Sequence, residues 1–519
     1  MEFLAKEEKE VSKIKKIKKK TILIKFLIFS PPILIYLYLQ LKFQAHLFIS
    51  KILVYNKNKI FKGGIMKVSP YIFREYDIRG KINVDFTEEV VKEIGKAYGT
   101  IVKRKGGKKV SCGRDGRLSS PSLQEALIDG ILSTGIDIIN IGICPTPVMY
   151  FSLYTLENLD GGIQITGSHN PPEFNGLKIC IGKETLFGPQ IQELRKIIEK
   201  QDFEKGKGKV EEKEILSKYI EYICENIKLK KPLKVVIDPG NGVCSLTAPE
   251  IFKRLGCEIE CLFCEVDGNF PNHFPDPVVP KNLKWLRETV LKKSYDVGFG
   301  YDGDGDRIGV IDEKGNIIWG DQLLIIFAKD LLKKYPGAKI IGEVKCSRTL
   351  YETISKLGGV PIMWKTGHSL IKNKMKEEKA ILAGEMSGHL FFADKWFGFD
   401  DSVYASLRLA EILSQNNIPL SEYLKDIPKL YSTPEIRKEC PDEIKFKVVE
   451  KLVKKFKKEG LNVVDIDGAR IEFKEGWALV RASNTQPVLV LRFEAETKEF
   501  LEKLQEKVYK TLEEVFQEL

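Results

Sequence analysis

Short β-rich runs alternate with amphipathic charged segments along most of this chain, and that alternation restricts it to folds in which helices cover mixed or parallel sheets. Residues 233–238, 338–343 and 380–384 are apolar runs of strand length, whereas 189–200 and 216–228 carry apolar residues at helical spacing among charges. From residue 431 the pattern changes. A helix is expected near 442–459, strands at 462–467, 478–482 and 488–494, and a helix over 498–518, which together suit a smaller α+β unit. No internal repeat shows in the sequence. A length of 519 residues allows about three to five domains with a substantial core. The expected architecture is α/β, with units at 66–215, 216–317 and 318–430 and an α+β unit at 431–519.

A net charge of +11 suggests a polyanion binder until it is divided along the chain. Residues 1–65 hold 14 Lys and 4 Glu, with no Asp or Arg, while the remainder holds 69 basic and 68 acidic residues. The nearly neutral body argues against nucleic acid as a partner and leaves room for local basic sites for small anions. The ten cysteines are scattered and no cleavable signal peptide stands at the start, so a reduced, cytoplasmic setting is expected. Cys257, Cys261 and Cys264 have a spacing that could suit a metal cluster. On an extended segment, however, Cys257 and Cys261 would share a face and Cys264 would point to the other.

Two readings compete for residues 1–65. Residues 21–41 are apolar enough for a marginal anchor at the cytoplasmic face of a membrane, although Lys25 and the Pro31-Pro32 pair weaken it. Alternatively, Met66 is the initiator, since the ordered pattern begins at Met66-Lys67-Val68-Ser69-Pro70.

Four motifs carry chemistry. In Thr166-Gly167-Ser168-His169-Asn170-Pro171-Pro172, glycine before and prolines after the serine make a stiff turn expected to project Ser168 from the fold. A hydroxyl so placed can accept and donate a phosphoryl group, the plain alternative being a polar turn. In Tyr301-Asp302-Gly303-Asp304-Gly305-Asp306-Arg307, three alternate carboxylates separated by glycines suit a hard divalent cation such as Mg²⁺. Glu313 at the twelfth place mimics a helix-flanked calcium loop, but Arg307 occupies the position where that loop needs glycine. Gly384-Glu385-Met386-Ser387-Gly388-His389 puts a carboxylate and a hydroxyl at a strand end, a pair able to hold two neighbouring sugar hydroxyls. Arg481-Ala482-Ser483-Asn484-Thr485-Gln486-Pro487 joins a guanidinium to small polar side chains, as a phosphate cradle does. Phosphoryl transfer is mostly positioning plus electrostatic stabilisation, and these four motifs supply nearly every part of it.

With these motifs in this order, the chain from about residue 66 resembles the α-D-phosphohexomutase superfamily, and within it the bacterial phosphomannomutase/phosphoglucomutase group. The resemblance implies three related α/β domains and a C-terminal α+β domain around a central cleft. It implies an isomerase that interconverts hexose 1-phosphate and hexose 6-phosphate through a phosphoserine and a 1,6-bisphosphate, with glucose 1,6-bisphosphate as activator. Ser168 would be the carrier, binding Mg²⁺ together with Asp302, Asp304 and Asp306. His169, Lys178, Arg307 and His368 would be catalytic, His368 as acid or base. Glu385, Ser387 and His389 would bind the sugar, with Thr366 and Gly367 from a ligand loop. Arg481, Ser483, Asn484 and Thr485 would hold the phosphate that does not react, and Tyr76, Arg79 and Lys345 would complete the cleft.

Departures are small: Gly167 stands where many members have alanine, and residues 1–65 have no family counterpart. The alternative within enzymes is a phosphoglucosamine mutase, whose last loop usually reads Arg-x-Ser-Gly-Thr-Glu-Pro; Ser483-Asn484-Thr485-Gln486 favours glucose or mannose instead. A sugar-phosphate-binding protein without catalysis would have lost Ser168, a metal-loop aspartate or Lys178, and all are present. The partners expected are small sugar phosphates, in a monomer or a dimer.

Overall fold

The computed structural model describes residues 68–484 and 486–519. The readings offered for residues 1–65, and Thr485, lie outside them. Four sheets follow one another along the chain. The first contains β1 (Ile78–Lys81), β2 (Lys109–Arg114), β3 (Asp137–Ile143), β4 (Gly161–Ile165), β5 (Phe174–Ile181), β6 (Glu184–Thr185) and β7 (Val210–Glu212). Its order is β1-β5-β4-β2-β3-β7, with β6 beside β5. Strands β2, β3, β4 and β7 run parallel, and β5 returns antiparallel to β4. β4 is buried along its whole length, as a strand covered by helices on both faces must be.

The second sheet, of β8 (Lys234–Asp238), β9 (Glu258–Cys261), β10 (Val297–Tyr301), β11 (Ile308–Asp312) and β12 (Ile317–Ile318), has the order β12-β11-β10-β8-β9. The third, of β13 (Lys339–Glu343), β14 (Val360–Trp364), β15 (Leu382–Gly384) and β16 (Leu390–Phe392), has the order β14-β13-β15-β16. Both repeat the device of the first: a strand parallel to its neighbour, β10 or β15, is followed by a loop and an antiparallel return strand. The serine loop, the aspartate loop and the glutamate loop occupy this same place in three sheets. The structural repeat is therefore real, although no sequence repeat announces it.

The fourth sheet is antiparallel throughout, with β17 (Tyr431–Ser432), β18 (Ile436–Glu439), β19 (Asn462–Val464), β20 (Ala469–Phe473), β21 (Gly476–Ala482) and β22 (Val488–Ala495). Alternation along β21 assigns its faces. Ala478, Val480 and Ala482 meet helices Lys445–Lys458 and Lys498–Gln517 in one core, while Trp477 and Leu479 pack on Val344 of the third domain. Arg481 belongs to the second face by the same period. Arg470 locks this joint by donating to the carbonyls of Val344 (2.7 Å) and Cys346 (2.8 Å), with its guanidinium 3.8 Å from the Trp477 ring centre.

The α/β class with mixed sheets and a C-terminal α+β domain is as expected. Helices at Pro189–Lys200 and Leu216–Asn226 and the two C-terminal helices form where apolar spacing puts them. Strands β18 and β20 were not foreseen, because Arg437, Lys438, Arg470 and Glu472 interrupt their apolar character. The expected alternation of Cys257, Cys261 and Cys264 also fails. Strand β9 ends at Cys261, and Phe263 adopts φ 52, which turns the chain so that the Cys264 thiol comes beside that of Cys261. Among the described residues, no helix is long and apolar enough to cross a membrane.

Asp401 ties helix Leu216–Asn226 to the buried helix Ser402–Gln415. It caps the latter by accepting from Tyr404 N (2.9 Å), and Tyr219 donates to both its oxygens at 2.9–3.0 Å. Burial pushes its carboxyl up to about 7. Because the folded state then holds a proton that the unfolded chain, titrating near 4, has released, stability falls as pH rises from about 4 to 7. Asp401→Asn keeps the cap and should remove that slope, worth about 1.4 kcal/mol per pKa unit. Urea midpoints of variant and parent should converge at pH 4.5 and separate at pH 7 in favour of the variant; equal slopes would contradict this assignment.

Candidate active site

The serine loop between β4 and β5 is held from behind by Arg117, which is 1% exposed. Its guanidinium donates to the carbonyls of Ser168 (2.7 Å), Asn170 (2.6 Å), Pro171 (2.7 Å) and Phe174 (3.0 Å). Asp115 accepts from Arg117 Nε (3.2 Å) and from Gly167 N (3.0 Å). A loop that pairs with no strand thus has its carbonyls satisfied by one buried cation. A Cβ at position 167 would lie 2.2 Å from Arg117 Nε, so glycine belongs there for space. Ser168 itself takes the left-handed conformation, φ 48, and its N–H donates to Thr166 Oγ1 at 2.8 Å.

Ser168 does not project from the fold as expected; it is 3% exposed. The loop is drawn inward by Arg117 and meets the aspartate loop in front, where Ser168 Oγ donates to Asp302 Oδ2 at 2.8 Å. His169 Nδ1 stands 3.1 Å from the same hydroxyl.

The loop 302–307 wraps round one of its own side chains: Asp302 Oδ1 accepts the backbone N–H groups of Gly305 (3.0 Å), Asp306 (3.0 Å) and Arg307 (3.1 Å). Asp302, Asp304 and Asp306 are all fully buried, and one oxygen from each lies within 4.8 Å of the others. Lys178, on β5, bonds Asp306 Oδ2 and lies 3.7 Å from Asp304 Oδ2, which also accepts from Thr146 Oγ1 at 2.7 Å. Burial, and then repulsion from Asp304 and Asp306, holds the Asp302 carboxyl well above the usual carboxylate range. Burial works the same way on Asp304, but the Lys178 ammonium, hydrogen bonds from Thr146 and Asp302 and the Arg79 charge together outweigh it and hold that group at about 2. Asp304 Oδ1 and Asp306 Oδ1 are buried without a hydrogen-bond partner among the described residues. Orphaned carboxylate oxygens so close together fit a hard divalent cation.

Beside this cage lies a chain of proton-carrying groups. Arg307 Nε donates to His389 Nε2 at 2.9 Å, so the neutral ring of His389 carries its proton on Nδ1. That atom is 3.0 Å from Asp400 Oδ2, off the angle of a hydrogen bond, and 3.7 Å from Asp306 Oδ1. His368 stacks on His389, ring centres 5.6 Å apart, and its ring nitrogens are buried without a hydrogen-bond partner among the described residues. Burial and nearby cations lower His368 and His169 well below the ordinary imidazole value, leaving both neutral. Burial opposes ionisation of Asp400, but Lys372 Nζ at 3.0 Å and the neighbouring imidazoles hold its carboxyl well below the usual range.

The far side of the cleft collects cations and hydroxyls. Glu385 accepts Gly367 N (2.9 Å) and Ser387 Oγ (2.9 Å). Lys345 lies 3.8 Å from Glu343 and 3.4 Å from Glu435, and Arg481 bonds Asp467 at 3.1 Å. Thr366 joins these by donating from N to Asp467 (3.0 Å) and from Oγ1 to Glu343 (2.8 Å). Ser483 Oγ accepts Gln486 N at 3.1 Å. Tyr76 ties the two sides: its hydroxyl donates to Thr366 O (2.7 Å) and accepts from Asn484 Nδ2 (2.6 Å), and nearby Arg79 donates to Thr166 O (2.7 Å).

Sequence reasoning missed Arg117, Thr146, Glu343, Asp400 and Asp467. Asp400 was hidden because Asp400-Asp401-Ser402 reads as a helix cap, which Asp401 is; Asp115-Gly116-Arg117, ending a strand, was a signal that could have been used.

Four loops from four successive sheets, converging on one charged cleft, define a phosphohexomutase-type architecture. Residues 70–205, 217–315 and 319–431 match the phosphoglucomutase/phosphomannomutase alpha/beta/alpha domains I, II and III, and 435–511 match its C-terminal domain. The chain belongs to this family. It is 50% identical over 433 residues, 83% of this chain and 93% of the relative, to a phosphomannomutase/phosphoglucomutase of Pseudomonas aeruginosa. A phosphoglucomutase of Neisseria gonorrhoeae is 46% identical over 446 residues, 85% of this chain and 96% of the relative. A crystal structure of a phosphoglucomutase/phosphomannomutase family protein from Burkholderia thailandensis has a TM-score of 0.82 at 44% identity, covering 86% of this chain and 98% of that one.

Arg117→Lys cannot reproduce the forked donation and leaves loop carbonyls unpaired, each costing about 1–3 kcal/mol. Activity should fall by at least about tenfold with the Asp401–Tyr219 joint intact, read as lost turnover with unchanged far-UV circular dichroism. Full activity in this variant would contradict the role given to Arg117.

Proposed function

We propose that the protein interconverts hexose 1-phosphates and hexose 6-phosphates, of glucose and mannose, by passing a phosphoryl group through Ser168. The observation that carries this reading is the 2.8 Å hydrogen bond from Ser168 Oγ to Asp302, which puts a nucleophile against a cage of three buried carboxylates. A phosphoryl group on Ser168 would be transferred to a free hydroxyl of the sugar phosphate: the Ser168 O–P bond breaks, the sugar O–P bond forms, the hydroxyl proton leaves to a base, and Ser168 Oγ takes up a proton to return to the hydroxyl. The resulting 1,6-bisphosphate, turned over in the cleft, returns its other phosphoryl group to Ser168.

Mg²⁺ bound by Asp302, Asp304, Asp306 and the Ser168 phosphate would neutralise charge on the group in flight. Lys178, held charged by Asp306 and Asp304, and Arg307 stabilise the same charge from the protein side. His368 is neutral with free ring nitrogens, as a base requires. We add His389 to the proton path, because its ring contacts Arg307, Asp400 and Asp306. Glu385 and Ser387 would hold the sugar 3- and 4-hydroxyls, which glucose and mannose present alike. Arg481, with Ser483 and Asn484, would grip the phosphate that does not react, and Lys345, Tyr76 and Arg79 close the cleft round it.

³¹P NMR of the full chain with Mg²⁺ and a trace of glucose 1,6-bisphosphate should show 6-phosphate appearing from glucose 1-phosphate and, separately, from mannose 1-phosphate. Ser168→Ala and excess EDTA should each stop it; turnover by Ser168→Ala would refute the carrier. Arg481→Lys loses bidentate phosphate recognition and should raise KM about 10-fold or more, with a smaller effect on kcat. An unchanged KM would remove Arg481 from the phosphate site.

A further inference from the structure

Behind the catalytic cleft lies a cavity of about 580 Å³, walled by helix Thr146–Thr155 and the β5–β6 turn on one side and by helix His368–Glu378 and residues 393–399 on the other. Its volume suits a small organic ligand. Two features define what such a ligand must be. The wall is aromatic: Tyr154 and Phe397 have ring centres 4.7 Å apart, and Tyr150 and Phe399 5.5 Å apart. The charge is one-sided. Lys183, Lys372, Lys376 and Lys379 line the cavity against a single acid, Glu184, which Lys376 already pairs.

Lys183 and Lys379 have no ion-pair partner among the described residues; the Lys183 ammonium rests 4.5 Å from the Tyr154 ring centre. Tyr150 lines the cavity, is 2% exposed, and its hydroxyl has no hydrogen-bond partner among the described residues. A buried phenol normally finds one.

We infer that this cavity binds an aromatic anion, a flat ring carrying a carboxylate or phosphate, with the ring against Tyr154 and Phe397 and the anion drawn to the lysines. Aromatic stacking and a cation-rich rim recognise that chemistry together, whereas a sugar phosphate would waste the aromatic wall.

Lys372 connects the cavity to the reaction. Its ammonium lies 4.0 Å from the Tyr150 ring centre and 3.0 Å from Asp400 Oδ1, and Asp400 in turn faces His389 and His368. An anion that draws Lys372 into the cavity weakens its hold on Asp400, and so slows turnover without entering the sugar site. This coupling, though not the binding, rests on the catalytic reading above.

The probe is 2-naphthoate, titrated calorimetrically into the full chain, with neutral 2-naphthalenemethanol as control. One equivalent of naphthoate should bind, the alcohol should bind at least about tenfold more weakly, and saturating glucose 1-phosphate should not displace the acid. Lys183→Ala should weaken naphthoate about tenfold. Ala393→Trp, which fills the exposed mouth, should abolish binding while leaving basal turnover unchanged. Naphthoate should lower kcat severalfold in the parent and leave the Ala393→Trp enzyme unaffected. No binding, equal affinity for acid and alcohol, displacement by glucose 1-phosphate, or undiminished binding to Ala393→Trp would each overturn the site. Binding to the parent with kcat unchanged would overturn the coupling through Lys372.

Discussion

Three buried carboxylates, with one oxygen from each within 4.8 Å of the others, repel, and the site is organised around containing that repulsion. Asp302 is held by three backbone N–H groups and a serine hydroxyl, Asp304 by Thr146 and Lys178, and Asp306 by Lys178. The containment is incomplete. One oxygen each of Asp304 and Asp306 is left bare, and Asp302 is pushed toward the protonated form. A cage that must take a proton or a cation to be comfortable is poised for a metal-assisted transfer of an anionic group. Its neighbours come from different sheets: Ser168 and Lys178 flank the first antiparallel return, Asp302 to Asp306 the second, and His389 the third.

That convergence explains why the fold repeats a single device. In each α/β domain the loop after a parallel strand, before the antiparallel return, points into the shared cleft. The return strand then carries a second contribution, as β5 carries Lys178 opposite Gln164. The fourth domain reaches the cleft differently, through the alternating face of β21 that puts Arg481 on the side of Trp477. Tyr76 and Thr366 connect the two ends, so that the Arg481 loop and the third and first domains share one hydrogen-bonded frame.

Much of this was legible in the sequence where the information is local. The α/β class and the helices Pro189–Lys200, Leu216–Asn226, Lys445–Lys458 and Lys498–Gln517 follow from apolar spacing, and the four loops from glycines and prolines that fix their turns. What stayed hidden depends on partners far along the chain. Arg117 is bound to carbonyls more than fifty residues away, with only the Asp115-Gly116-Arg117 turn after a strand to hint at it, and Asp400, which reads locally as part of a helix cap, serves a histidine whose own partner is Arg307. The burial of Ser168 was misread for the same reason: the turn is stiff as expected, but its direction is set by Arg117 and Asp302. Charged residues within β18 and β20 similarly masked strands whose pairing comes from the sheet and not from their own composition.

The phosphoryl group is proposed to reside on Ser168 inside this cage. The most direct measurement is peptide mass spectrometry of the full chain before and after brief exposure to glucose 1,6-bisphosphate and Mg²⁺. A single phosphate should be gained on Ser168 and lost again on addition of excess glucose 1-phosphate. Phosphate on another residue, or an unmodified Ser168 in protein that is turning over substrate, would contradict it.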